Sequence, residues 1–427
     1  MKTYIAAIAI CLQFLSLKST AQFTNSGAQI TIEHGGLLYT SAGLQNSFVG
    51  IIANNGTIIS DSFITNNSAC LISGGGTYKV QGNWKNSGTF SADTSKIIFF
   101  GKGNSDITSG GAEVYDLQVN KNANGILNLK GVLKVLDKVE FSAPKNWIQL
   151  NKYVLTLDAN CTITGFNDKK FFITNDSGFL KKLYVAPSKF IFPVGFSKSS
   201  YNPLSIAEAA NVDDYSVRCL QHAQLNGGSG ASITQGGIDV SWLVKEAEPG
   251  GADATIEANW YPSKGDELPG FDSSKCMLVR YKSTGWDFSA AQAGPAYGTT
   301  VKTKRRSGIT AFGYFTVLST ATPTLQGSIT TANSENRMQQ VTTGVRILVY
   351  PTIVQRSVNI SVSKAAEDTE TMNVTIMNAA GKTVLRKEKM NFQSQQLSLP
   401  HLPSGAYIML IQYGGNSHNQ KIIVSGQ

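Results

Sequence analysis

Four histidines, 28 carboxylates, five cysteines and five tryptophans hold most of the chemistry open to this chain of 427 residues. His34, His222, His401 and His418 lie far apart, and none has a second ligand-type residue at metal-site spacing. There is no Gly-x-Ser-x-Gly nucleophile elbow. Gly381-Lys382-Thr383 looks like the end of a phosphate loop, but that loop needs glycine at position 376, where Ile376 stands. Nucleotide binding is therefore excluded. Asp239, Glu246, Glu248, Asp253, Glu257, Asp266, Glu267 and Asp272 crowd one stretch and offer calcium-type oxygen ligands. They lack the Asp-x-Asp-x-Asp-Gly spacing, so solvated loops are the simpler reading.

The cysteines, Cys11, Cys70, Cys161, Cys219 and Cys276, never form the close pairs that zinc or redox motifs need. A Cys219–Cys276 bridge and free buried thiols both stay open. Asp137, Asp158, Asp168 and Asp176 are the carboxylates a β-helix polysaccharide lyase would use, but they are scattered. Trp84, Trp147, Trp242, Trp260 and Trp286 suit either stacking on sugars or core packing. The expectation is a protein that is not an enzyme, with no catalytic residue, no cofactor and no metal.

The elements that would hold these residues are short strands. Charged residues make up 15% of the chain against a usual level of about 25%, and glycine reaches 41 residues. That composition excludes a coiled coil, while 41% apolar content excludes disorder throughout. The formal charge of +9 is spread along the chain and favours anionic lipopolysaccharide or glycans as partners. Lys302-Thr303-Lys304-Arg305-Arg306 is too short, and too poor in aromatics, to indicate nucleic acid.

Lys2 followed by an apolar run from Tyr4 to Leu17, then Ser19-Thr20-Ala21, reads as a signal peptide over 1–21. Cleavage falls between Ala21 and Gln22. The run is shorter than the roughly 20 residues of a membrane span, and no transmembrane segment is expected elsewhere.

Residues 22–200 alternate four- to six-residue strands with Gly and Asn punctuation, as in Gly56-Thr57-Ile58-Ile59-Ser60 and Lys96-Ile97-Ile98-Phe99-Phe100. Asn54-Asn55-Gly56-Thr57-Ile58 returns 32 positions later as Asn86-Ser87-Gly88-Thr89-Phe90, which suggests stacked repeats. A parallel β-helix-like solenoid is the first reading and a set of antiparallel sandwiches the second. Residues 201–318 have longer loops and three of the tryptophans, and read as a β-sandwich. Residues 319–344 hold seven Thr and three Ser without periodicity; a flexible linker of that length spans about 30 Å.

Residues 345–427 form a run of alternating strands, enough for a seven-stranded β-sandwich, with Gly381 and Gly405 expected at turns of positive φ. Val349-Tyr350-Pro351 at the entry, Gly381-Lys382 at the central turn, Leu402 with Ser404-Gly405-Ala406-Tyr407, and the closing Lys421-Ile422-Ile423-Val424 stand in order at the terminus. In this the segment resembles the type A C-terminal sorting domain of the type IX secretion system of Bacteroidota. Thr352-Ile353 replace the usual Asn-Pro after the entry. The resemblance implies sorting residues at Tyr350, Pro351, Gly381, Lys382, Leu402, Gly405, Tyr407 and Lys421. It also implies partners in the outer-membrane translocon and sorting machinery, and a secreted or cell-surface location. The fold expected is all-β: an N-terminal solenoid, a middle sandwich, a tether and a C-terminal sorting sandwich carrying an adhesin-like or structural passenger.

Overall fold

A computed structural model describes residues 21–319 and 346–425, apart from 186–187, 209–211, 284, 289–290, 351–352, 355, 364–370, 379, 392–394 and 414–415. The leader, all but its last residue Ala21, lies outside the described residues, as do Pro351 and all of the linker but Ser319. The chain divides into two compact units, Met1–Ser328 and Ile329–Gln427. The fold is nearly all β, and the only helical element among the described residues is the short 3-10 turn Pro262–Lys264.

The first unit begins as a β-solenoid of about eight turns. Strands Phe23–Ser26, Gln29–Ile32 and Leu37–Thr40 make the first turn. The next turn repeats them in parallel register, with Phe23 opposite Leu44, Gln29 opposite Ile51 and Leu37 opposite Thr57. Inward positions alternate along each strand, as in Ile58 and Ser60 or Tyr78 and Val80, the period-2 pattern of a half-buried strand. Each turn buries its apolar face only against its neighbours.

The repeat length corrects the sequence reading. Leu44 pairs with Ile64 and Ile64 with Trp84, a step of 20 residues rather than 32. Asn54 and Asn86 end strands in different sheets. Asn-Gly corners occur at more than one corner of a turn, so matching one kind of corner to another produced a false period. The true repeat is a buried amide ladder. Asn25 Nδ2 donates to Asn46 Oδ1 at 2.9 Å, Asn46 to Asn66 at 3.0 Å, and Asn66 to Asn86 at 2.8 Å.

One sheet of the solenoid stops at Thr89–Phe90, while the strands of another lengthen to Glu113–Asn122 and Leu133–Phe141. This longer sheet does not end with the solenoid. At Phe179–Val185 its pairing switches from parallel to antiparallel with Asp213–Gln221, and it continues through Val240–Glu246, Gly313–Ser319 and Cys276–Lys282. A second, four-stranded antiparallel sheet, with Ala254–Trp260 and Lys302–Ile309 among its strands, completes the sandwich. One apolar core runs from Ile32 to Val317. Position 200, expected to separate two domains, therefore falls inside continuous packing. Ser319, expected to open the linker, is buried opposite Cys276, and its backbone N–H donates to Gly236 O.

Candidate functional site

The sorting sandwich in the second unit has two sheets. Arg346–Tyr350, Ser357–Ser363 and Gln395–Ser398 form one; Ile353–Val354, Asn416–Val424, Gly405–Tyr413, Thr371–Asn378 and Thr383–Asn391 form the other. The two-residue strand Ile353–Val354 is additional to the seven expected, and pairs parallel with Ile423–Val424. Alternation dictates the core: Met372, Val374 and Ile376 point in from one strand, Tyr407, Met409 and Ile411 from the next. Every buried residue of this core lies between Val349 and Val424.

The expected sorting residues divide by what they do. Leu402 and Tyr407 are buried, and the Tyr407 hydroxyl donates to Pro403 O at 2.9 Å, which ties down the approach to Gly405–Tyr413. Gly381 has φ +76 in an exposed turn, and its N–H donates to Asn378 O. Gly405 does not have the positive φ expected of it; it opens a strand opposite Val424, with nothing within 4 Å of where a Cβ would sit. Tyr350 ends its strand opposite Asn359. Lys382 and Lys421 are exposed, and Lys421 lies opposite the half-exposed Ile408. These two lysines lie on the module's surface, while Leu402, Tyr407 and Gly381 shape its interior and its turn.

Asn378 was missed. Its Oδ1 accepts from the backbone N–H of Ala380 and of Lys382, at 3.1 and 2.9 Å, and so builds the turn that displays Lys382. The signal was present as Asn three residues before Gly, an Asx-turn pattern.

In the first unit the candidate catalytic and binding groups are dispersed. Ala21 and Gln22 are exposed just before the first strand. Trp84, Trp147, Trp242 and Trp260 are buried and Trp286 is half-buried, so the tryptophans pack the interior; Trp84 sits edge-on to Tyr78 and Phe90. Cys70, Cys161, Cys219 and Cys276 are free and buried, and burial pushes the Cys161 thiol up to about 12. The Cys219–Cys276 bridge is not formed.

The acidic stretch is spent on separate contacts. Asp266 accepts from Asn202 and from the Tyr261 backbone, Glu267 from Trp260 Nε1, and Glu257 pairs with Lys189 at 3.0 Å. His222 Nδ1 and Asp239 Oδ1 lie 2.6 Å apart, a pairing that their separation in sequence concealed. The nearby Ser241 hydroxyl donates to His222 O rather than to the ring, so Ser241 does not complete the pair as a nucleophile.

The lyase carboxylates are also apart. Asp158 pairs with Lys134 at 3.2 Å, Asp168 with Lys264 at 3.7 Å, and Asp176 sits exposed in a turn. A bulge opposite Val114–Asp116 brings Asp137 against Asp116. Burial first, and then the Asp137 charge, raise the Asp116 carboxyl above its usual range, while Lys138 and Lys96 pull it back. Around this pair the outer face of the long sheet is a web of matched charges, with Lys96–Glu140 at 3.1 Å and Lys134–Glu113 at 2.9 Å.

An open cleft of about 790 Å³ lies where the last solenoid turns meet the sandwich. Lys182 and Cys161 line it beside the exposed Tyr184, Ile191 and Val212. Lys182 Nζ is already committed to Asp158 O and to Ala159 O, the latter at 2.5 Å.

Residues 348–425 match the secretion system C-terminal sorting domain family. That domain marks the chain for export to the cell surface or for secretion, and implies interaction with the type IX secretion machinery. No curated protein matches the chain. The crystal structure of dimeric latent PorU from Porphyromonas gingivalis aligns with 53% of this chain at 10% identity and a TM-score of 0.17. The aligned part is 18% of that protein's chain, and a superposition this poor supports no argument about fold or activity. Among the described residues no helix is long and apolar enough to cross a membrane.

Proposed function

We propose that this chain, which carries a type IX secretion C-terminal sorting domain over residues 348–425, is an adhesin-like or structural surface protein of a Bacteroidota cell, without enzymatic activity. Its signal peptide is removed between Ala21 and Gln22. The sorting module then takes the passenger to the outer-membrane translocon, with Lys382 and Lys421 as the exposed contacts. The observation that supports the passenger reading is the outer face of the long solenoid sheet, where Lys96 and Lys134 are held in ion pairs with Glu140, Glu113 and Asp158. A lyase needs a carboxylate and a base left free in a groove, and a glycan module needs aromatic side chains turned outward. Here four of the five tryptophans are buried and Trp286 is half-buried, which speaks against stacking of sugars on tryptophan.

Deleting residues 345–427 should strand the passenger in the periplasm, and normal surface display of the truncated chain would refute the route. The secreted chain, incubated with acidic polysaccharides, should give no rise in the ultraviolet absorbance of unsaturated sugar products. A steady rise would make it a lyase.

A further inference from the structure

We propose that the first turn of the solenoid is an interface for a second copy of this chain, joined through strand edges. All three solenoid sheets begin there: among the described residues, Phe23–Ser26, Gln29–Ile32 and Leu37–Thr40 are each hydrogen-bonded to a strand on one side only. In a parallel pair alternate backbone groups face away from the partner, so each strand presents a row of open donors and acceptors. Such edges are normally guarded by Lys, by Pro or by a covering segment. Here the Lys and Pro guards are missing. After Lys18 the next Lys or Arg is Lys79, and the first Pro in the chain is Pro144. Glu33 and His34 are the only ionisable side chains on the first turn apart from the Tyr39 hydroxyl, which donates to Asp61 at 2.6 Å.

Large apolar side chains are also exposed on the first two turns, Leu37 and Tyr39 on a strand of the first and Phe48 and Val49 in a turn of the second. Leu37 is 64% exposed, Tyr39 56%, Phe48 78% and Val49 66%. Phe48 and Val49 also have φ of 49° and 56°, a left-handed backbone that non-glycine residues adopt at a cost.

Charge selects the occupant. Loss of Lys2 and Lys18 with the leader lowers the charge from +9 to +7, so the chain from Gln22 is still basic and two copies repel over most of their surfaces. The first turn, with no cation, can meet itself without that penalty. A two-fold contact sets like edge strands antiparallel, the self-complementary arrangement of a closed dimer. A two-fold contact uses this end of both copies and so closes on itself; at the other end the long sheet runs on into the antiparallel strand Asp213–Gln221 and offers no matching edge.

The test is sedimentation velocity of the chain from Gln22 to Gln427 across the micromolar range, paired with amide hydrogen exchange. Expected are a concentration-dependent dimer and slower exchange in residues 23–40 as dimer forms. Leu37→Lys with Tyr39→Lys should weaken the dimer by about tenfold or more, whereas Val132→Lys, at a 59% exposed apolar site elsewhere on the solenoid, should not. Thr31→Lys repeats the test should the double variant misfold. A chain that stays monomeric, a dimer indifferent to these lysines, or a series of larger species overturns the proposal. So does protection of residues 23–40 that is independent of concentration, which would mean that the chain covers its own edge.

Discussion

The strand Thr383–Asn391 closes one edge of the sorting module with Arg386, Lys387, Glu388 and Lys389 in succession and two register shifts against its neighbour. The strands that close the solenoid carry no Lys or Arg. The interiors differ as well. Among the described residues, the buried polar and charged side chains, Asn25, Asn46, Asn66, Asn86 and Lys121 among them, lie at or before Ser319, and the module's core cluster is apolar. The difference follows from architecture. Stacked turns repeat each position, so an inward amide finds the same amide one turn away and is satisfied. A sandwich of eight unlike strands has no such repeat, and a buried amide there would be left without a partner. The module's charged, irregular edge keeps it from adding strands indiscriminately; the solenoid's bare edge invites one.

The comparison can be broken first at the solenoid core. Trp84 is 2% exposed and packs against Tyr78 and Phe90, so Trp84→Ala should cost the first unit about 4 kcal/mol. All five tryptophans lie between residues 84 and 286, so tryptophan emission reports this unit alone. Its denaturation midpoint should fall, while hydrogen exchange at Met372, Met409 and Ile422 in the other core stays unchanged. Equal loosening of both cores would show that their separate composition does not translate into separate stability.

A second break lies at Lys121, fully buried, whose Nζ donates to Phe100 O at 2.8 Å and to Gln81 O. Burial pulls its pKa from the ordinary 10.5 down to about 8. Below about pH 8 both folded and unfolded chains hold the proton, so the cost of burial is constant there. Between about 8 and 10 the unfolded chain binds more protons, and stability rises with pH. Lys121→Met removes this dependence. The stability of the native chain relative to the variant should therefore climb by up to about 3 kcal/mol across that window, read from denaturant curves at matched pH. A constant difference would mean that Lys121 keeps an ordinary pKa.

Much of this was legible in the residues, and the failures have physical causes. Short strands with Gly and Asn corners announced a solenoid, because only corners tolerate such residues at that density. The turn length was misread because chemically similar corners recur within one turn. The boundary at 200 was placed where loops lengthen and tryptophans cluster, yet Phe179–Val185 pairs across it with Asp213–Gln221 in one sheet. Continuity of a sheet depends on pairing between distant segments, which no local pattern encodes. Lys121 was visible in principle: it continues the inward phase of Leu117 and Val119. In the sorting module the alternation of Met372, Val374 and Ile376 was enough, because one face of each strand is simply buried.

The smallest effect separates two glycines that local sequence treats alike. Gly381 has φ +76 at the turn that Asn378 organises. A Cβ meets nothing there, so the cost of Gly381→Ala is the left-handed backbone alone, about 1 kcal/mol. Gly405 lies in ordinary strand geometry with open space around it. Alanine there restricts the unfolded chain more than the folded one, and the change should be neutral or stabilising by a few tenths of a kcal/mol. Thermal unfolding of the module, followed by hydrogen exchange at Tyr407 and Ile411, should therefore move down for Gly381→Ala and hold steady or rise for Gly405→Ala. Were Gly405→Ala the more damaging, the backbone at Gly405 would need the freedom of glycine after all.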